Sequence, residues 1–111
     1  MRTPEGRLKD KVKAFLKARG AYYHMPVQNG YGQPSLDFVG CYKGFYFAIE
    51  TKAPGKTPTP RQTYTMNEIV SAEGTSIWND TWEGGLERQL IGMFDDFDER
   101  DALISAGRMK T

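Results

Sequence analysis

The 111 residues, 39% hydrophobic and 26% charged, are enough for one globular domain with a modest core, and no apolar run nears the ~20 residues of a membrane span. A single cysteine, Cys41, and a single histidine, His24, exclude an internal disulfide framework and a Cys- or His-based zinc cluster. The net charge of +1 divides unevenly: residues 1–64 hold eleven Lys/Arg against four acids, residues 65–111 four against ten, which points to an anionic partner for the first half.

Residues 4–19 read as an amphipathic helix, with Leu8, Val12, Phe15 and Leu16 on one stripe. Thr3 suits the N-cap, Pro4 the first helical position and Gly20 the stop. Residues 21–28 predict an aromatic strand, with Pro26 placing it toward a sheet edge. Its Tyr22, Tyr23 and His24 read as strand core. Residues 29–35 form a Gly/Pro loop.

Residues 36–42 and 45–51 predict two strands joined by Lys43-Gly44, a two-residue hairpin loop. Both faces of this hairpin look apolar: Leu36, Phe38, Phe45, Phe47 and Ile49 on one, Val39, Cys41, Tyr46 and Ala48 on the other. A strand covered on both faces belongs inside a sheet flanked by helices. After a loop over 53–58, Thr59 opens a helix to about Glu73, with Pro60 at its first position and Gln62 completing a capping box; Gly74 closes it. Residues 75–79 predict a short strand. From about Trp82 the spacing is helical again, and a last short helix starts at Asp98 or Asp101. The reading is an α/β domain, a small mixed β-sheet flanked by helices. Its core covers about 4–79, with a C-terminal helical extension over about 82–107.

With Lys43 and Gly44 as the loop, Tyr42 faces Phe45 and Asp37 faces Glu50. Facing residues share a side of the sheet, and Lys52, two residues on, points the same way. Two opposed acids repel unless compensated. Two readings fit: a divalent cation held by hard oxygen ligands, with Lys52 stabilising phosphate charge, or a salt bridge from Lys52 to both acids. Glu5 falls inside the apolar stripe of the first helix, where an acid is unusual. It either adds a third carboxylate to the cluster or answers the helix dipole.

These residues resemble the PD-(D/E)XK nuclease superfamily, through Pro34-Ser35-Leu36-Asp37 followed by Glu50-Thr51-Lys52. The fuller pattern is similar to the VRR-NUC family of virus-type replication-repair nucleases: a helical Glu5, a Gly-rich stretch from Gly30 to Pro34, Ile-Glu-x-Lys, then Ala-Pro-Gly-Lys and a helix bearing Gln62. The match spans about residues 5–79. In the family, Pro commonly stands immediately before Asp; here Ser35 and Leu36 intervene.

The resemblance implies a restriction-endonuclease-like core and Mg²⁺- or Mn²⁺-dependent hydrolysis of DNA phosphodiester bonds. It makes Asp37, Glu50 and the Thr51 carbonyl metal ligands, Lys52 the catalytic lysine, and Glu5 and Gln62 supporting residues. It also implies a branched-DNA substrate, as for a Holliday-junction resolvase. A restriction-type or nick-directed nuclease, or a DNA-binding module that has lost catalysis, are the alternatives. Lys9, Lys13, Lys17, Arg19, Lys43, Lys56 and Arg61 are candidate phosphate contacts, and the loops around Tyr31 and over 53–58 could touch substrate. The apolar residues after Trp78 exceed what one closing helix requires, so a homodimer is expected. The charged first twenty residues do not read as a signal peptide, and a cytoplasmic setting is the default.

Overall fold

The Thr3 side chain accepts the Gly6 N–H at 3.0 Å, Pro4 takes the first helical position, and Gly20 ends the helix at φ 74°. These signals bound α1 (Pro4–Arg19) where local chemistry requires. The structure is a computed structural model, and it describes residues 2–27 and 35–109. The predicted Gly30–Pro34 stretch, with Tyr31, lies outside them.

Four strands follow: β1 (Tyr22–His24), β2 (Phe38–Tyr42), β3 (Phe45–Thr51) and β4 (Thr75–Asn79), with α2 (Pro60–Ser71) between the last two. They form one mixed sheet in the order β1-β2-β3-β4, antiparallel except for the parallel β3–β4 pair. The hairpin register is the predicted one, from Tyr42↔Phe45 to Phe38↔Ile49. Its loop residues Lys43 and Gly44 both have positive φ, 52° and 88°, which matches the twist of the flanking strands.

On one face of the sheet, Phe38, Phe47 and Ile49 pack with Leu8, Val12 and Leu16 of α1 and with Leu90, Met93, Phe94 and Phe97. The last four belong to α3 (Glu87–Met109). Phe45 stacks on Phe97 with centroids 5.2 Å apart. On the other face, Leu36, Val39 and Ala48 pack under Met66 and Ile69 of α2, beside Trp78.

Five expectations need correction. First, Leu36 shares the Val39 side, not the Phe38 side, because the chain bends at Asp37 and strand alternation starts only at Phe38. Second, Cys41 and Tyr46 are exposed: α2 covers the β3–β4 half of this face and leaves the turn end of the hairpin uncovered. Third, β1 is shorter than predicted, and in it only Tyr23 packs inward, against Phe38; Tyr22 and His24 are exposed. Fourth, α2 closes at Ala72, with Glu73 rather than a glycine at positive φ (70°). Gly74 serves packing instead: a Cβ there would lie 2.8 Å from Ile69 Cγ2 and 3.1 Å from Tyr46. Fifth, the C-terminal segment is one 23-residue helix with no second start. Residues 82–86 form one wide turn, broken at Glu83 and Gly84, before it. Asp98 and Asp101 sit inside the helix and face Lys43, so neither acts as a cap. No helix among the described residues is long and apolar enough to cross a membrane.

Candidate active site

The hairpin register brings Asp37 and Glu50 together at its open end, where each carboxylate ties down the other's strand. Glu50 Oε1 accepts the Asp37 N–H at 3.1 Å. Asp37 Oδ2 accepts the Thr51 N–H at 3.0 Å and the Thr51 hydroxyl at 2.6 Å. These crossed bonds, with the lysines below, offset the repulsion between two adjacent acids.

Lys52 Nζ lies 3.1 Å from Glu50 Oε2. Gln62, in the first turn of α2, donates from Nε2 to the same oxygen at 2.9 Å. Its Oε1 accepts the Thr59 N–H at 2.9 Å while its own N–H donates to Thr59 Oγ1, so the capping box is complete as well. One amide thus completes the cap and contacts Glu50.

Lys9 joins the site from α1. Its Nζ stands 2.6 Å from Glu5 Oε2 and 3.3 Å from Asp37 Oδ2. Glu5 thus joins the cluster through Lys9, with no direct hydrogen bond to Asp37 or Glu50. Among the described residues no group of three Asp, Glu, His or Cys side chains is placed to hold one metal ion.

Glu50 is 3% exposed. Burial, and then the neighbouring Asp37 charge, raise its pKa above the ordinary carboxylate value; the hydrogen bond and charge of Lys52 hold it back only in part. Burial works against the Lys9 ammonium, but the Glu5 and Asp37 hydrogen bonds and charges outweigh it, and the Lys9 pKa is raised. Three carboxylates and two ammonium groups leave the cluster one negative charge in formal terms. Asp37 Oδ1 has no partner among the described residues. A pair of hard oxygen donors with residual negative charge fits a divalent cation of the Mg²⁺ type, which takes one or two carboxylates and keeps its waters.

The structure therefore brings together Glu5, Asp37, Glu50, Thr51, Lys52 and Gln62. Thr51 contributes its N–H and hydroxyl, contacts that its expected carbonyl role did not include. Lys9, expected as a phosphate contact, stands beside Glu5 and Asp37 in the site itself. Its spacing, four residues from Glu5 on the same helix flank, is the signal that could have shown this.

Two other candidate phosphate contacts are already paired with carboxylates. The Arg19 guanidinium meets Asp95 at 3.3 Å and Asp98 at 3.5 Å and lies over the rings of Phe15 and Phe94. Lys43 pairs with Asp98 at 2.8 Å, and Tyr42 donates to the same carboxylate at 2.7 Å. Arg19 ties the acidic α3 to the end of α1, and Lys43 holds it against the turn end of the sheet. Lys43 lies about 20 Å along β2 from Asp37, at ~3.3 Å per residue. Lys13, Lys17, Lys56 and Arg61 make no ion pair among the described residues, and all but the half-buried Lys13 are exposed. The 53–58 loop that carries Lys56 is pinned where the Gly55 N–H donates to Asp80 at 2.8 Å.

No family model matches the chain, and no curated protein matches it. Among solved structures, the fold is similar to one described as a "VRR_NUC domain", with a TM-score of 0.64 and 18% identity, covering 75% of this chain and 90% of that one. The chain has a VRR-NUC-like fold.

Proposed function

We propose that the chain is a metal-dependent nuclease that hydrolyses DNA phosphodiester bonds. The observation that carries this reading is the meeting of Asp37, Glu50 and Lys52 at the open end of the hairpin, within a VRR-NUC-like fold. Asp37 and Glu50 would hold a Mg²⁺ or Mn²⁺ ion. Such an ion, when bound, lowers the pKa of a water and neutralises charge developing on the phosphoryl oxygens.

The chain's own groups do the rest. Thr51 fixes Asp37, and Gln62 fixes Glu50, so both carboxylates keep their direction. Lys52, 15% exposed, supplies positive charge where the phosphate would sit. The exposed Lys17, Lys56 and Arg61, with Lys13, would hold the DNA backbone by charge, without reading sequence. Branched DNA is the proposed substrate, in replication, recombination or repair. Two copies of the domain, each cutting one strand, would place the symmetric cuts that a four-way junction requires.

The test is cleavage of a labelled four-way junction and of linear and nicked duplex, with Mg²⁺, Mn²⁺ or EDTA. Metal-dependent cuts favouring the junction support the reading. Equal cutting of linear or nicked duplex would make it a restriction-type or nick-directed nuclease, and tight binding without cleavage an inactive DNA-binding module.

A further inference from the structure

Each central carboxylate has its own lysine, but the two lysines are held differently. Among the described residues Lys52 pairs with Glu50 alone. Lys9 is shared, 2.6 Å from Glu5 and 3.3 Å from Asp37, with its side chain only 22% exposed. Glu5 and Lys9 stand one turn apart on α1, and the N-cap and the buried Leu8 and Val12 fix that turn on the sheet.

An ammonium at 3.3 Å from Asp37 and a divalent cation compete for the same carboxylate, and their like charges repel. Glu5 offers the ammonium a second seat with a shorter contact. Glu5 itself makes no hydrogen bond or ion pair to Asp37 or Glu50; its site contact is Lys9.

We infer that Lys9 is the resident counter-ion of the site and that Glu5 is a positioning residue that draws it aside: when a divalent cation occupies Asp37 and Glu50, Lys9 leaves Asp37 for Glu5. There it remains as a positive charge beside the entering phosphate. The inference rests on the nuclease reading and deepens it, because it makes Glu5 act through Lys9 and not on the metal.

The test is the affinity for Mn²⁺ alone, by isothermal titration calorimetry, of wild type, Lys9→Met, Glu5→Gln and the double variant. Lys9→Met should bind Mn²⁺ on the order of tenfold more tightly, since a nearby positive charge is gone. Glu5→Gln should bind more weakly by a similar factor, because Lys9 then stays on Asp37. In the double variant the Glu5 effect should vanish, leaving the affinity of Lys9→Met. Unchanged or weaker binding by Lys9→Met overturns the inference. So does a Glu5→Gln loss that persists without Lys9, which would mean that Glu5 meets the metal itself. If circular dichroism shows that Lys9→Met is unfolded, Lys9→Gln takes its place under the same criteria. Mn²⁺ binding abolished by Asp37→Ala but unmoved by Lys9→Met removes this inference and leaves the nuclease reading standing. Absence of Mn²⁺ binding by wild type removes both.

Discussion

Gln62 donates to Glu50 at 2.9 Å from the nitrogen of an amide whose oxygen is already held by the Thr59 N–H. The N-cap of α2 thereby decides which end of the amide faces the buried carboxylate. A helix start and a hydrogen bond of the candidate site depend on one another.

Thr59→Ala should accordingly cost about 1 kcal/mol of stability, the usual worth of an N-cap. It should also lower cleavage by several fold under conditions where the protein is fully folded, while Thr59→Ser restores both. Thermal melts and single-turnover cleavage check this; a stability loss with unchanged cleavage would separate the cap from the site.

Asp37→Ala and Glu50→Ala should abolish cleavage with the fold retained by circular dichroism, because each removes a carboxylate from the proposed metal site. Lys52→Ala should keep Mn²⁺ binding and lose about 10²–10³ in cleavage rate, the scale of removing one preorganised charge-stabilising group. Cleavage at the wild-type rate by any of the three would reject the site.

Stability should depend on pH through Glu50. Its folded pKa is raised above 4.5 by burial and Asp37, so the native state keeps a proton that the unfolded chain has released. Stability of the metal-free protein should therefore fall as pH rises through that window, and the loss is complete above the folded pKa. Asp98 acts oppositely: Lys43 and Tyr42 depress its pKa below 3.8, so its contribution is present above that value and fades as pH falls through the folded pKa. The windows are separate. Melting temperatures of wild type and Glu50→Ala across about pH 4 to 8 isolate the Glu50 part. Parallel curves would refute it.

Affinity for DNA should fall steeply with salt, with log K losing about 0.9 per neutralised phosphate for each unit of log salt. Replacing Lys13, Lys17, Lys56 and Arg61 by Gln should flatten that slope. Lys43→Gln should leave the slope alone, since its charge is engaged with Asp98. A reversed pattern would move the DNA surface to the turn end of the sheet.

Most apolar residues of the C-terminal segment close the monomer: Leu86, Leu90, Met93, Phe94 and Phe97 are buried. Ile91, Leu103 and Ile104 remain exposed at 43%, 67% and 44%. The proposed homodimer should form through this part of α3. Light scattering at micromolar concentration should give about twice 12.6 kDa, and Leu103→Glu with Ile104→Glu should return the mass to 12.6 kDa. A wild-type mass of 12.6 kDa rejects the dimer.

Local chemistry in the sequence determined the bounds of α1, through Thr3, Pro4 and Gly20, and the hairpin register, through the two-residue Lys43-Gly44 loop. That register brought the open ends of the two strands together, and with them Asp37, Glu50 and Lys52. Such signals act between residues a few positions apart, or directly opposed across a tight turn, so they can be read along the chain. The partners of the cations could not. Arg19 and Lys43 look like solvent-facing charges until α3, more than fifty residues on, lays Asp95 and Asp98 against them. Lys9 looks like surface until α1 settles beside Asp37. Asp98 and Asp101 read as helix starts until the packing of Phe94 and Phe97 on the sheet holds α3 as one helix. An ion pair is formed by whichever elements meet, and only the tertiary packing of α1 and α3 on one face of the sheet decides which charges those are.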